Sequence, residues 1–149
     1  MTNRSTAERI EAAIRRLQTD PNVWVATASL AGVPHLVPLS LAWDGKAILV
    51  ATPTDTPTVR NAIASGFARA SLDSADDVVI IDADIHVDDL IDVESSTLDG
   101  YISRVGWDPR ENSGAWSLLT LTPRRIQSWN GVSEIGGRTI MRNGTWVVD

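Results

Sequence analysis

Two-residue turn signals recur along this chain between short runs of β-forming residues, and they restrict what it can fold into more than any other feature. Ala31-Gly32 separates residues 23–29 from 34–43, Asp44-Gly45 separates 34–43 from 47–52, and Asn143-Gly144 lies within 138–148. Asp-Gly and Asn-Gly tolerate the left-handed backbone that a tight hairpin needs, so residues 23–52 read as a three-stranded meander and 138–148 as a hairpin. Residues 67–72, 78–91 and 116–129 read as three more strands, the second unusually long. Helices interrupt this pattern without alternating regularly with it. Ser5 and Glu8 have capping-box spacing ahead of Ile10, Ala13, Ile14 and Leu17, giving a helix over 6–18. Thr56-Pro57 supplies an N-cap and a proline at the first helical position of a short helix that Gly66 stops, and Leu98, Ile102 and Val105 mark another. Residues 107–114 have the composition of a loop. The expected fold is mainly β: an antiparallel barrel of six or seven strands, Greek-key in type, with short helices outside and a single domain spanning 1–149.

Composition removes whole classes of chemistry. With 149 residues, the chain is long enough to bury about 70% of its unfolded surface without a disulfide or structural metal. It has no cysteine, which excludes thiol, dithiol and iron–sulfur mechanisms. The single lysine, Lys46, follows the Asp44-Gly45 turn, a poor place for a buried Schiff base. Only His35 and His86 offer imidazoles, so one chain cannot build a three-histidine metal site. No apolar run approaches the roughly 20 residues of a membrane span, and Met1-Thr2-Asn3-Arg4 runs into a charged helix without an apolar leader, which together predict a cytoplasmic protein with no membrane partner. The net charge of −6 is local, because residues 73–99 hold ten of the 19 acids and no lysine or arginine. The arginines elsewhere are scattered rather than striped, and nucleic-acid binding is not expected.

Four groups of residues bear chemistry. In Ala51-Thr52-Pro53-Thr54-Asp55-Thr56-Pro57-Thr58-Val59-Arg60-Asn61, a strand ends in hydroxyls and a helix begins, so free N–H groups, the positive dipole end and Arg60 could seat a phosphate. Equally, Thr56 could only cap its helix while Arg60 stays in solvent. Six tryptophans dominate the aromatic content: Trp24, Trp43 and Trp116 read as core, Trp146 carries no assigned role, and Trp107 beside a loop and Trp129 at a strand end are the candidates to edge a pocket. Alternation puts Asp82, Asp84, His86 and Asp88 on one strand face, where same-face neighbours stand nearly 7 Å apart; a solvated outer face is expected, and no metal site. His35 reads as a packed or surface imidazole, with a role towards a ligand as the alternative.

The runs Trp24-Val25-Ala26-Thr27-Ala28, Gly32-Val33-Pro34-His35-Leu36-Val37-Pro38-Leu39, Trp43-Asp44-Gly45 and Thr56-Pro57-Thr58-Val59-Arg60-Asn61 resemble the pyridoxamine 5′-phosphate oxidase-like split β-barrels, and most of all their flavin and deazaflavin-dependent oxidoreductase branch. The ending Pro123-Arg124-Arg125-Ile126-Gln127-Ser128-Trp129 with Gly137-Arg138-Thr139-Ile140-Met141-Arg142-Asn143-Gly144-Thr145-Trp146 is similar to C-termini of that group. The resemblance implies a homodimer whose cofactor, FMN or the deazaflavin coenzyme F420, lies in a groove between subunits and passes a hydride to or from a small organic substrate. It also implies that Leu39, Ser40 and Leu41 border the ring, while Thr52, Thr56, Thr58, Arg60 and Asn61 face the phosphate. No catalytic residue is implied. Where the family usually has Ser-x-Lys before its Arg-Asn, this chain has Thr56 and Thr58, so a phosphate-binding lysine is missing. One charge-assisted bond is worth about 1.5–3 kcal/mol, or roughly ten- to a hundredfold in affinity. The competing expectation is a redox-silent barrel that has lost its flavin and takes another small ligand, or haem with His35 or His86 as the iron ligand.

Overall fold

The structure, a computed structural model, describes residues 2–148. Ser5 accepts from the Glu8 N–H at 3.1 Å and Glu8 reaches back to the Ser5 N–H at 2.9 Å, closing the capping box that starts α1 (Thr6–Thr19). Strands β1 (Asn22–Ala28) and β2 (Pro34–Ser40) pair antiparallel across the 31–32 turn. The predicted single strand 34–43 then divides at Leu41 into β2 and a two-residue β3 (Ala42–Trp43), and β4 (Ile48–Pro53) pairs with β3 and not with β2. The three-stranded meander is therefore corrected to a hairpin followed by a change of partner.

Helix α2 (Pro57–Ser65) starts at the Thr56 cap and stops at Gly66, whose φ of 68° is left-handed. After it come β5 (Phe67–Ser71), β6 (Asp77–Asp89), α3 (Ser95–Val105), β7 (Trp116–Asn130), β8 (Thr139–Arg142) and β9 (Thr145–Trp146). Asn143 and Gly144, with φ of 50° and 76°, make the left-handed turn between the last two. Seven of these strands have four or more residues, as expected; β3 and β9 are short additions.

The sheet runs β2-β1-β5-β6-β7-β4-β3, with β8 on β7 and β9 on β8. Its two ends, β2 and β3, are joined through one residue, so the sheet has to curl round on itself. Strand β7 makes this possible. Along one edge it pairs with β6; along the other it serves β4 with its first half and β8 with its second. Between the halves, the register shift that sets Asp82 opposite Arg125 and Ala83 opposite Pro123 leaves Arg124 as an extra residue, and such a bulge sharpens twist and bend. The Arg124 carbonyl thus freed accepts from the Gly144 N–H at 2.8 Å, tying the β8–β9 turn to the bend.

The barrel interior is filled by Val23, Val25, Leu41, Ile48, Val50, Ile81, Leu119, Leu121 and Ile126, closed off by Ala13 and Leu17 of α1 and Val59 and Ala62 of α2. Strand β4 is buried on both faces, because Leu49 and Ala51 join Ala42, Leu118 and Tyr101 in a smaller core beneath α3. Trp43 packs against the main core and Trp116 against the smaller one. Trp24 differs from expectation: the buried residues of β1 are Val23 and Val25, which puts Trp24 on the opposite, outer face.

One buried ion pair locks the start of the chain to its end. The Glu134 carboxylate, 3% exposed, accepts from Arg4 Nη2 at 2.8 Å, the Arg4 N–H at 2.8 Å and the Asn130 N–H at 2.7 Å, while Arg9 donates to the carbonyls of Glu134 and Gly137. The hydrogen-bonded Arg4 guanidinium holds the Glu134 carboxyl down to about 2 from its ordinary 4.5. A carboxyl that binds its proton less readily when folded stabilises the fold above 4.5, and that stabilisation drains away as pH falls towards 2. In urea titrations of the wild type, this site should therefore lower the midpoint between about pH 4.5 and 2. Glu134→Gln, which leaves Arg4 and Arg9 facing a neutral amide, should cost about 3 kcal/mol at pH 7 and flatten that acid slope. An acid slope equally steep in the variant would refute the assignment.

Candidate functional site

Where the sheet's ends approach one another, β2 and β4 pack side by side without a ladder between them, so the barrel has an open seam. Ser40 of β2 lies on one bank of it and Ala51 of β4 on the other. An open seam strands backbone groups that a closed sheet would pair, and here a single side chain satisfies two of them. The Tyr101 hydroxyl, from α3, accepts from the Ala51 N–H at 3.1 Å and donates to the Ser40 carbonyl at 3.1 Å. The Ser40 hydroxyl in turn accepts from Trp107 Nε1 at 3.2 Å. Trp107 stands edge-on to Tyr101 at 6.2 Å and to Trp116 at 5.6 Å, forming an aromatic wall behind Ser40. Sequence reasoning named Trp107 but missed Tyr101, which falls on the same apolar stripe as Leu98 and Val105.

The residues named for a phosphate seat lie at the junction of β4 and α2. Thr56 spends its hydroxyl on the cap, accepting from the Val59 N–H at 3.3 Å and donating to the Pro53 carbonyl at 3.0 Å. Thr52 and Thr58 are buried, and the Asn61 amide donates to Thr27 Oγ1 at 3.2 Å, pinning α2 to β1. Arg60 projects into solvent and bonds Asp55 at 2.8 Å, with Asp55 fully exposed. Of the groups on this seat, then, the cation is the one that a ligand can reach without unpacking the helix. Leu41 is fully buried in the main core, whereas Leu39 and Ser40 are partly exposed at the seam.

Trp129 is not brought to this seam. It lies on the outer face of the sheet in an open cleft with Trp24, Leu36, Leu72 and Val78, under the Arg138 guanidinium at 5.9 Å from its ring. The acidic face of β6 carries two ion pairs and a hydrogen bond: Arg69 bonds Asp82, Arg124 approaches Asp84 at 3.4 Å, and the exposed His86 ring meets Asp88 at 3.2 Å. Solvent screens such pairs, and the face reads as solvated. His35 is half-buried, opposite Thr27 in the β1–β2 ladder.

No family model matches the chain, and no curated protein matches it. Solved structures do. A protein related to general stress protein 26, of the pyridoxinephosphate oxidase family, from Clostridium acetobutylicum is similar at a TM-score of 0.67 and 13% identity, over 93% of this chain and 96% of that one. An F420 reductase aligns at 0.60 and 17% identity, over 75% and 93%. The haem storage protein HutZ from Vibrio cholerae aligns at 0.63 and 14% identity, over 83% and 97%. These neighbours are pyridoxamine 5′-phosphate oxidase-like split-barrel proteins, and the fold of this chain is a split barrel. No helix among the described residues is long and apolar enough to cross a membrane.

Burial pushes the Tyr101 phenol up to about 12, from an ordinary 10.0. A proton held more tightly when folded contributes stability that is complete below pH 10 and lost as pH rises through 12. Because the chain has a single tyrosine, its absorbance at 295 nm reports this group directly. The titration should show a midpoint near 12, moving to about 10 in urea, and Tyr101→Phe should cost about 1–3 kcal/mol by stranding the two backbone groups. A native midpoint near 10 would show that the hydroxyl is open to water and the seam unbridged.

Proposed function

We propose that the protein is an oxidoreductase in which FMN or the deazaflavin coenzyme F420 docks along the β2–β4 seam and exchanges a hydride with a small organic substrate. The observation that carries this reading is the juxtaposition at the seam. An aromatic wall and the partly exposed Ser40 stand at the seam, and β4, whose Ala51 faces them through the Tyr101 hydroxyl, leads directly into the start of α2 with the solvent-facing cation Arg60. Leu39 and Ser40 would border the ring over the floor made by Leu41, with Trp107 at its edge. Thr52, Thr56, Thr58, Arg60 and Asn61 would form the phosphate end, Arg60 as the donor and the others as the packing that holds α2 in place. When bound, the cofactor supplies the hydride chemistry itself. The chain's share is to seat the phosphate, orient the ring and exclude water, and no acid–base residue is assigned.

The donor set fits a phosphate with one adjustment: Arg60 has to exchange Asp55 for the ligand. That exchange is cheap, since an ion pair between two exposed side chains contributes little. In a tryptophan-fluorescence titration, one of the two cofactors should quench saturably at micromolar concentration. Arg60→Ala should raise its Kd tenfold or more, and Asp55→Asn should lower it. A second reading is supported by the buried Thr58, which stands where a cation would be expected, and by the carboxylate already on Arg60: a redox-silent barrel that binds another small ligand or haem. Failure of both cofactors to quench, together with a Soret shift on adding haemin, would favour it over the first.

We also propose that the protein works as a homodimer in a cytoplasmic setting. On the outer sheet face, Trp24, Ala26 and Ala28 of β1 stand beside Pro38, Leu36 and Pro34 of β2, and Leu36 is 59% exposed. Prolines on this edge strand discourage strand addition, so association would be face to face. A second copy on this face is what would bring Trp129 near a cofactor. Sedimentation should give twice the 16.1 kDa chain mass, and Leu36→Asp should give the single-chain mass with the fold retained. A wild type that sediments as one chain at micromolar concentration would sink the dimer.

A further inference from the structure

Away from the seam, a cavity of about 250 Å³ lies between α3 and the β3–β4 hairpin, lined by Ala42, Trp43, Leu49, Gly100, Tyr101 and Arg104 among others. It opens to solvent along α3, where Ser96 and Gly100 are exposed. Its helical wall contains a glycine in mid-helix, where alanine is the more favourable residue. Neither of the usual structural reasons accounts for it: Gly100 has an ordinary helical φ, and a Cβ built there meets nothing within 4 Å. The space beside Gly100 is therefore open.

At one end of the cavity stands a cation without a counterion. Arg104 Nη2 donates to the Asp20 carbonyl at 2.8 Å, its Nε is shielded from solvent without a partner, and among the described residues no carboxylate forms an ion pair with it. A partly desolvated guanidinium held in this way favours an anion at its remaining N–H groups. The middle of the cavity is apolar. Ser96 and Thr97 line the far end, eight and seven residues up the helix from Arg104, or about 12 Å of helical rise. Asp44 also borders the cavity, its Oδ1 accepting from the N–H groups of Lys46 and Ala47 at 2.8 and 2.7 Å.

We propose that this cavity binds a small monocarboxylate with an apolar body, its carboxylate on Arg104 and its body against Gly100, Leu49 and the partly exposed Trp43 ring. The Asp44 charge repels a second carboxylate, so monoacids are preferred to diacids. The site shares Tyr101 with the seam, which the Tyr101 hydroxyl bridges, and the proposal does not depend on which cofactor, if any, the seam takes.

The test is a ¹H–¹⁵N NMR titration of the full chain with benzoate, benzyl alcohol and glutarate. Benzoate should move the amides of Gly100, Tyr101 and Arg104 saturably, with benzyl alcohol and glutarate at least tenfold weaker. Arg104→Met should abolish the response. Gly100→Leu, which fills the space with a better helix former, should abolish it too while keeping a Tm at or above that of the wild type. Absence of saturable shifts, equal binding of benzyl alcohol, or benzoate binding that survives Gly100→Leu would each overturn the proposal.

Discussion

The Tyr101 hydroxyl is the interaction on which the open barrel depends. A sheet that curls until its ends meet would ordinarily close by hydrogen bonding its edge strands, and a seam left open exposes unpaired N–H and C=O groups on both banks. Here one hydroxyl acts as donor to Ser40 and acceptor from Ala51, taking the place of a ladder bond while holding the strands apart by the width of a side-chain oxygen. It can do so only because the ring beneath it is completely buried in the core under α3. The same helix thus seals the smaller core, bridges the seam and walls the cavity beside the β3–β4 hairpin.

The other half of the design is β7. A strand of 15 residues cannot stay straight and still serve β4 at one end and β8 at the other, and the bulge at Arg124 bends it where the partners change. The bulge creates its own debt, an extra carbonyl, which the Gly144 N–H settles. Further along, Asn130 and Glu134 carry the chain from β7 into the buried network with Arg4 and Arg9. Breaking a buried, hydrogen-bonded pair of this kind is far more damaging than breaking the exposed pairs on β6, because the surviving charge has no water to turn to. The two ends of the chain are held by electrostatics, and its middle by apolar burial.

What was legible in the sequence follows the range of the interaction involved. Ser5 and Glu8, Thr56-Pro57, Gly66 and Asn143-Gly144 act within a few residues of themselves, and each stands where its local chemistry placed it. The division of residues 34–43 did not announce itself, since nothing between Ser40 and Ala42 is a turn former; the break is imposed by the different partners of β2 and β3 at opposite ends of the sheet. Trp24 was misplaced for a related reason. Alternation along β1 says that Val23 and Val25 share a face but not which face the barrel buries, and the bulk of an indole is a poor guide when the outer face is itself apolar. Tyr101 was hidden because a tyrosine on an apolar helical stripe looks like core, and it is core; only its oxygen reaches the seam.

Thr58 stands where the resemblance leads one to expect a lysine, and there packing bears on the proposed binding. Its position on α2 is 1% exposed, so a lysine there would have to carry its ammonium out past the packed surface of the helix, whereas threonine lets α2 settle against β1 and Asn61 reach Thr27. The small residue thus tightens the helix and leaves the seat with one cation. That cation is not idle in the ligand's absence, because Asp55 holds it in solvent. A phosphate, with more charge than a carboxylate and a fork of oxygens suited to guanidinium, would win Arg60 from Asp55, but it would gain one strong bond where a second cation would have given two. On the proposed reading, a ligand anchored at this seat draws the balance of its affinity from its body, along Ser40 and the aromatic wall behind it.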